Sequence, residues 1–204
     1  MANTPGHGRE LYQILQERGA VKVPPDYDDG ALLVALGRVK KAICAFPGAP
    51  WSGVMNPLQE KFFAGEIEVE LVPQGTLAER IRAAKAGIGA FYTPTGVGTM
   101  VEEGKETRLI QGRKHVLEYA IKADFALIRA HRADRWGNLV YRGTSRTFNA
   151  VMAGAARVTI AEVDQIVGLG ELEPEVIVTP AIYVDRIVAR QGGGRGGSNE
   201  DKTG

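Results

Sequence analysis

Polar and apolar residues alternate from Glu66 to Val72, and this period of two predicts a strand with one solvated face. From Glu10 to Arg18 the apolar residues recur instead at helical spacing, which predicts an amphipathic helix that ends near Gly19. Similar patterns predict further strands at residues 40–46, 89–93, 123–129, 140–142, 157–163 and 182–188, a hairpin over 107–121 that turns at Gln111-Gly112, a helical turn at 58–63, and helices at 29–36, 76–86 and 149–156. Because strands and helices alternate, we expect an α/β fold: a mainly parallel sheet, made mixed by the hairpin, with helices on both faces.

The chain is predicted to be one domain with two flexible ends. Its 204 residues suffice to build a single hydrophobic core. Residues 1–8 carry no periodic pattern, and the glycine-rich residues 191–204 are typical of a flexible tail. We therefore expect one domain over residues 9–190.

Composition argues against several classes of function. A formal charge of +1 is not typical of a protein that binds nucleic acid or an acidic membrane, and no apolar run is long enough to span a bilayer. The N-terminus lacks the pattern of a signal peptide, and the single Cys44 cannot form an internal disulfide, so we expect a cytoplasmic protein with a structural cysteine. His7, His115 and His131 have no cysteine or carboxylate at metal-ligand spacing, and no metal site is expected.

One turn draws attention as a candidate site, Pro73-Gln74-Gly75, because it follows the predicted strand at 66–72 and precedes a helix. Ligands of α/β proteins gather where strands lead into helices. Thr76 and Glu79 have the spacing of a capping box and predict the helix start. The Gln74 amide is thus suited to bind a carbonyl or an oxyanion, or else it caps its own loop.

Other polar and glycine-containing segments leave two interpretations open. Gly96-Val97-Gly98 suits either an anion-binding turn or a simple turn. Arg142 and Arg146 suit either an anionic ligand or a subunit interface. The acidic run at 102–106 predicts a solvated loop, and no carboxylate of the chain stands out as a buried nucleophile.

Several segments, in order and nearly without gaps over residues 28–190, resemble the A (alpha) chain of family I CoA-transferases, the 3-oxoacid and 3-oxoadipate CoA-transferases. They include the runs VPQGTLAERIR at 72–82, AFYTPTGVGT at 90–99, EEGKE at 102–106, LE at 117–118, ADFALI at 123–128, DRWGNLVYR at 134–142, RTFN at 146–149, TIAEV at 159–163 and IVTP at 177–180. The resemblance implies the CoA-transferase and sugar-phosphate isomerase-like fold. So many matched segments are more specific than any single motif.

The resemblance also implies a ping-pong transfer of CoA from a dicarboxylyl-CoA, typically succinyl-CoA, to a 3-oxoacid. In this family the nucleophilic glutamate lies in the B subunit within a Ser-Glu-Asn-Gly stretch, which this sequence does not contain. A B subunit is therefore the expected partner, in a heterodimer or heterotetramer. Gln74 is the expected catalytic donor of a hydrogen bond to the reacting carbonyl. The expected substrate-binding residues are Gly75, Thr76, Phe91, Thr95, Gly96 and Gly98. No cofactor is expected, since the CoA thioester is itself the substrate.

One departure leaves a second function open. The A-type chains of this family begin with a strand and a Gly-Gly-Phe-x-x-x-Gly-x-Pro loop, followed by an Asn-Asn pair, and this sequence has neither. We expect a missing N-terminal segment, because loss of a strand would expose an unpaired sheet edge. The alternative is a truncated paralogue that binds a B subunit or an acyl-CoA without turnover, and a weaker one is a sugar-phosphate isomerase or effector-sensing domain. The sequence does not distinguish 3-oxoadipate from acetoacetate as the acceptor.

Overall fold

The computed structural model describes residues 33–48 and 55–190, which group into two compact units divided between Ala123 and Asp124. Each unit is described here by itself. The helix predicted at 10–18 and the flexible ends at 1–8 and 191–204 lie outside the described residues. Of the helix predicted at 29–36, the described residues 33–35 are helical. The expectation of one domain over 9–190 stays a prediction.

Besides the helical residues 33–35, the described part of the first unit contains two small sheets and two helices. In chain order its elements are β1 (Lys41–Cys44), α1 (Pro57–Phe63), β2 (Glu68–Leu71), α2 (Gln74–Lys85), β3 (Ala90–Thr93), β4 (Thr107–Ile110) and β5 (Arg113–Tyr119), with a 3-10 turn at Met100–Glu102. Strands β1 and β2 pair in parallel, from Lys41 opposite Glu68 to Cys44 opposite Leu71. Strands β3, β5 and β4 form an antiparallel sheet in that order.

The second unit is a four-stranded sheet with a short helix. Its elements are β6 (Ala123–Asp134), β7 (Leu139–Val140), α3 (Phe148–Met152), β8 (Ala156–Val167) and β9 (Arg186–Ala189), with 3-10 turns at Gly143–Arg146, Pro174–Val176 and Ala181–Tyr183. The strand order is β7-β6-β8-β9; β6 and β7 are antiparallel, and β8 and β9 are parallel. The core of this unit is small-residue-rich and gathers Ala126, Ile128, Ala130, Ala133, Leu139, Tyr141, Ala153, Ala161 and Val163.

The mixed α/β class is confirmed, but within residues 33–48 and 55–190 the strands are divided among three sheets rather than gathered in a single, mainly parallel one. The length of a connection decides the direction in which the strands it joins can pair. The two-residue turn between β4 and β5 can join only antiparallel strands, whereas β1 and β2 are separated by α1 and pair in parallel.

The predicted hairpin is confirmed, and its turn has the expected backbone. Gln111 and Gly112 both have positive φ angles, 51° and 75°. Two consecutive left-handed residues are typical of a type I′ turn, whose twist matches that of the flanking strands. The pairing from Thr107 opposite Val116 to Ile110 opposite Arg113 follows from it.

Helix α1 begins with a capping arrangement that the sequence analysis missed. The Asn56 side chain accepts a hydrogen bond from the Gln59 backbone N–H at 3.0 Å, and the Gln59 side chain accepts one from the Asn56 N–H at 3.1 Å. Pro57 occupies the first helical position, where its missing N–H costs nothing. The helix therefore begins one residue earlier than predicted.

Two predictions for the second unit are corrected. The continuous apolar sequence at 123–129 predicts a buried strand, but only one face is covered, because Phe125 and Leu127 are 58% and 64% exposed while Ala126 and Ile128 are buried. The strand predicted at 182–188 begins only at Arg186, and the preceding residues form a 3-10 turn that ends at Tyr183. Apolar content alone identified these segments as strands, without showing which face is covered.

Candidate active site at the start of helix α2

The candidate site is built by an abrupt change from strand to helix. Strand β2 ends at Leu71, and the N–H of the following residue, the buried Val72, still bonds the Cys44 carbonyl at 3.0 Å. Pro73 has no N–H to continue the ladder and turns the backbone at φ −51°, ψ 135°. Its carbonyl accepts the first helical hydrogen bond, from Leu77 at 2.9 Å, so that α2 begins at Gln74.

Gln74 is exposed in the first turn of this helix. Its carboxamide has no hydrogen-bond partner among the described residues. Gly75 is exposed too, and a Cβ added there would meet no atom within 4 Å apart from its chain neighbours and the helix backbone. The first backbone N–H groups of a helix have no acceptor within it and carry partial positive charge. This arrangement can donate hydrogen bonds to an oxygen that carries negative charge.

Thr76 does not form the predicted capping box. The helix begins two residues before it, with Pro73 at the cap and no side chain bonded there. Thr76 is 4% exposed, and its hydroxyl has no hydrogen-bond partner in the described structure. Glu79, the other predicted member, instead pairs with Arg82 at 2.9 Å, one turn further along. The predicted box is wrong because proline had already ended the strand.

The glycine turn after β3 is bent by two left-handed residues. Gly96 and Gly98 have φ angles of 91° and 78°. A Cβ at Gly96 would lie 2.8 Å from the Val101 side chain, so a larger residue would have to displace it. Phe91 is half-buried on β3, and the backbone N–H of the exposed Thr95 donates to Thr93 at 3.2 Å.

The anion that the glycine turn binds is a carboxylate of the chain itself, that of Glu102. The Gly98 N–H donates to Glu102 at 2.7 Å, and Lys114 also pairs with Glu102. The lysine and then this N–H lower the pKa of the Glu102 carboxyl. Glu102 was predicted to be solvated, yet its side chain is only 19% exposed. The turn does bind a carboxylate, although that carboxylate belongs to the turn.

The site residues predicted from sequence thus lie at two places in the first unit. Gln74, Gly75 and Thr76 form the start of α2, whereas the others lie on β3 and in the turn that follows it, namely Phe91, Thr95, Gly96 and Gly98. Helix α2 contacts β3. No hydrogen bond joins the two groups in the described part of the chain.

The sequence analysis missed a network of charges beneath α2. Glu118, 2% exposed on β5, pairs with Lys105 at 2.6 Å and lies 3.8 Å from Arg80. Arg80 also pairs with Glu70 at 2.6 Å and donates to the Tyr119 carbonyl at 2.8 Å. These residues line a cleft of about 260 Å³. The signal available in the sequence was Glu118 itself, an acidic residue on the inward face of β5, two positions after the buried Val116.

Burial disfavours the charged form of Glu70, but the adjacent Arg80 and Lys41 outweigh this effect and lower the pKa of its carboxyl. Because Glu70 and Glu118 are both paired with cations, neither is a free nucleophile. The network fixes α2 against β5 and thereby orients the candidate site.

Comparison with known proteins decides the family. Residues 16–190 match the model of the family described as Coenzyme A transferase. The chain belongs to this family. It is 57% identical over 162 residues to the A chain of the 3-oxoadipate CoA-transferase of Pseudomonas putida, a match that covers 79% of this chain and 69% of that protein. It is 51% identical over 158 residues to the A chain of the probable succinyl-CoA:3-ketoacid coenzyme A transferase of Bacillus subtilis, covering 77% of this chain and 64% of that protein.

A solved structure supports the fold. The acyl-CoA transferase of Escherichia coli O157:H7, in a thioester complex with CoA, superposes with a TM-score of 0.67 at 21% identity, over 78% of this chain and 36% of that chain. The recognition of a CoA-transferase subunit of the A type is confirmed, and the fold prediction with it. The chain spans about two thirds of the length of the two curated relatives.

The described part of this CoA-transferase subunit contains neither a candidate metal centre nor a helix that could span a membrane. No group of three or more His, Cys, Asp or Glu residues there is arranged to hold a metal ion. None of the helices in residues 33–48 and 55–190 has the length and apolarity to cross a membrane. Burial raises the pKa of the half-buried Cys44 thiol, in keeping with a structural cysteine.

Proposed function

We propose that this chain works with a B-type partner to move CoA from a dicarboxylyl-CoA, with succinyl-CoA as the donor, to a 3-oxoacid. One relative, 57% identical, is named as a subunit of a 3-oxoadipate CoA-transferase. Another, 51% identical, is named as a subunit of a probable succinyl-CoA:3-ketoacid coenzyme A transferase. Both names support this substrate class. Both names designate the A-type chain of such an enzyme, which supports a B-type partner in a heterodimer or heterotetramer. No cofactor is part of the proposal.

The proposed reaction is a ping-pong transfer. A glutamate carboxylate of the partner attacks the thioester carbonyl, and the C–S bond breaks, so that CoA leaves as a thiolate and an acyl-glutamyl anhydride forms. The thiolate then attacks the glutamyl carbonyl, which releases the donor acid and leaves a glutamyl-CoA thioester. The 3-oxoacid carboxylate repeats these steps in reverse order and leaves as its CoA thioester.

One observation carries the role of this chain, the unpaired Gln74 carboxamide in open space at the start of α2. Each attack places negative charge on a carbonyl oxygen. A preorganised amide donor beside that oxygen stabilises the transition state more than the ground state. The helix start adds partial positive charge on the same side.

The test uses this chain assembled with a B-type CoA-transferase subunit. Incubation with succinyl-CoA in the absence of acceptor should add the mass of a CoA thioester to the B-type partner and none to this chain. Addition of a 3-oxoacid should then release the CoA thioester of that acid. The buffer contains a chelator, so that the reaction is observed without free metal ions.

Two results would contradict the proposal. One is a purified complex that forms no CoA thioester from any 3-oxoacid, which would favour the non-catalytic alternative. The other is a covalent adduct on this chain, which would place the nucleophile here.

A further inference from the structure

The two groups of predicted site residues, which no direct hydrogen bond joins in the described structure, are connected through one buried carboxylate. One oxygen of Glu118 accepts a hydrogen bond from the Lys105 side chain at 2.6 Å. Its other oxygen lies 3.8 Å from the Nε of Arg80. Arg80 belongs to α2, and Lys105 belongs to residues 94–106, which we call the β3–β4 loop and which contain the glycine turn. The carboxylate therefore lies between the helix and the loop that carry the predicted site.

Arg80 fixes the position of α2 through three contacts besides Glu118. Its side chain pairs with Glu70 on β2 at 2.6 Å and donates to the Tyr119 carbonyl on β5 at 2.8 Å. Its own carbonyl accepts a hydrogen bond from the Ile121 N–H at 3.0 Å. The start of α2 lies six residues before Arg80, about 9 Å along the helix axis, and a helix bends little over this length. Whatever holds Arg80 therefore also holds the start of the helix.

Lys105 is connected to the glycine turn through the backbone of the β3–β4 loop. The Lys105 N–H donates to the Glu102 carbonyl at 3.1 Å, and the Gly98 N–H donates to the Glu102 carboxylate at 2.7 Å. The next residue, Glu106, accepts from the Leu117 N–H at 2.9 Å, which brings the loop against β5. A displacement of Lys105 would therefore displace the glycine turn.

The bond from Lys105 is the stronger of the two that link Glu118 to a cation. Its length of 2.6 Å is that of a charge-assisted hydrogen bond, whereas 3.8 Å to Arg80 is too long for one. Because the Glu118 side chain is 2% exposed, salt screens the pair little. Without the lysine, Arg80 keeps its bonds to Glu70 and to the Tyr119 carbonyl. Loss of Lys105 thus separates the loop from the helix without detaching the helix from β5.

We propose that Lys105 is a positioning residue for the transfer reaction, and this inference rests on the proposed function. Through its bond to Glu118, Lys105 holds the glycine turn in a fixed place relative to the helix that carries Gln74. Donor groups stabilise a transition state only if they are already in place when charge develops. A misplacement of about 1 Å can lower a rate about 10²-fold. Lys105 acts through the loop and the helix rather than by contact with the substrate, so that its loss lowers kcat more than it raises KM.

The test compares substitutions in the assembled A–B complex. Lys105→Met removes the ammonium group and keeps the apolar stem, whereas Lys105→Arg keeps a positive charge beside Glu118. Lys105→Met is also combined with Gln74→Ala. The matched control is Lys61→Met, at a lysine that is 27% exposed and pairs with Glu66 at 2.7 Å. Lys105 is similarly 30% exposed.

We expect Lys105→Met to lower kcat about tenfold or more with a smaller change in KM, and Lys105→Arg to restore most of the loss. In the Gln74→Ala background the same substitution should lower kcat less, because no amide is left to be misplaced. Without substrate, the backbone amides of residues 96–99 should exchange hydrogen about threefold or more faster in Lys105→Met, measured by mass spectrometry. Lys61→Met should change neither kcat nor this exchange.

Three results would overturn the inference. The first is a Lys105→Met complex with wild-type kcat and wild-type exchange at residues 96–99. The second is additivity of Lys105→Met and Gln74→Ala in the logarithm of kcat, since the lysine would then act independently of the helix start. The third is a raised KM with unchanged kcat, which would indicate that the lysine contacts the substrate.

The exchange measurement separates this inference from the proposed function. An A–B complex that transfers CoA to no 3-oxoacid, yet exchanges faster at residues 96–99 in Lys105→Met than in the wild type and in Lys61→Met, would reject the proposed function. The connection between the loop and the helix through Glu118 would then be retained.

Discussion

Gln74 shows how backbone chemistry places one side chain. Proline before it removes a donor and ends the strand, and the glycine after it leaves open space. The carboxamide is therefore exposed without a partner in the described residues, at the positive end of a helix. From the turn alone, Gln74 suits either a ligand or a cap of its own loop. The resemblance to the CoA-transferases predicts it as a hydrogen-bond donor, and its role in catalysis stays a prediction.

Substitution of Gln74 with alanine should lower kcat about 10²–10³-fold, the usual effect of losing one oxyanion donor. The free energy of unfolding should change by less than about 0.5 kcal/mol, since an exposed side chain with no partner is removed. Steady-state kinetics of the A–B complex and urea denaturation measure the two effects. Gln165→Ala, at an exposed glutamine on β8, is the control. Unchanged kcat in Gln74→Ala would remove this residue from the mechanism.

Glu118→Gln tests the buried charges beneath α2. The substitution leaves Lys105 and Arg80 without their shared carboxylate, and breaking one side of a buried pair typically costs about 3–5 kcal/mol. The denaturant midpoint should fall accordingly. Glu103→Gln is the control, because that side chain is exposed and should change stability by no more than about 0.5 kcal/mol. Equal midpoints for the two variants would show that the network contributes little.

Thr76 and Glu102 show where residue-level patterns failed. The spacing of Thr76 and Glu79 fits a capping box, but a cap works only if the helix begins there, and Pro73 places the start earlier. Glu102 lies in an acidic run that predicts solvent exposure, yet its carboxylate bonds to Gly98 and Lys114. Both partners lie outside the local pattern from which the prediction was made.

At the scale of elements, α2 carries a glycine in its first turn. Gly75 has no positive φ angle, and an added Cβ would meet no atom within 4 Å. The fold therefore does not require glycine there, although glycine destabilises a helix relative to alanine. A ligand that approaches the backbone closely would account for it.

Gly75→Ala should accordingly stabilise the protein by about 0.5–1 kcal/mol. It should also lower kcat/KM about tenfold or more, because the added methyl group displaces a closely bound substrate. Thermal melting and steady-state kinetics measure these opposite effects. A contrasting variant is Gly96→Ala, whose Cβ would lie 2.8 Å from Val101 at a φ of 91°, and which should destabilise. A stabilised Gly75→Ala enzyme with full activity would contradict close approach at this turn.

The elements differ in how far sequence predicted them. The β4–β5 hairpin was predicted together with its turn, because Gly112 readily adopts a positive φ angle. The start of the predicted strand at 182–188 was wrong, since a 3-10 turn and a strand of the same apolar content look alike in sequence. Elements with a local signal at their ends were predictable, and those without one were not.

At the scale of the whole molecule, several carboxylates have lowered pKa values, which predicts instability in acid. Glu70, Asp134 and Asp164 are examples, each stabilised in its charged form by partners that outweigh the effect of burial. Their folded pKa values lie below the unfolded ones, about 3.9 for aspartate and 4.3 for glutamate. Their contribution to stability is present above the unfolded values and is lost as pH falls through the folded ones.

The urea concentration at the midpoint of unfolding should therefore decrease as the pH is lowered from about 5 to about 3. In this range the unfolded chain binds more protons than the folded chain, because its carboxyl pKa values are higher. Asp134→Asn should have a shallower pH dependence than the wild type over this range. Asp124→Asn, at a side chain that is 79% exposed, is the control and should retain the wild-type slope. A slope for Asp134→Asn equal to that of the wild type would contradict the assignment of Asp134.

The sequence by itself determined the family, the α/β class, the hairpin and the candidate residues at the start of α2. Each of these depends on local order along the chain: periodicity, turn chemistry at proline and glycine, and matched segments in sequence. Only the tertiary structure decided that the strands of the described residues form three sheets, that Glu118 is paired beneath α2, and that the Asp134 carboxylate is bound by the turn that follows it. Pairing between strands and between charges depends on residues far apart in the chain, which packing brings together and no local pattern records.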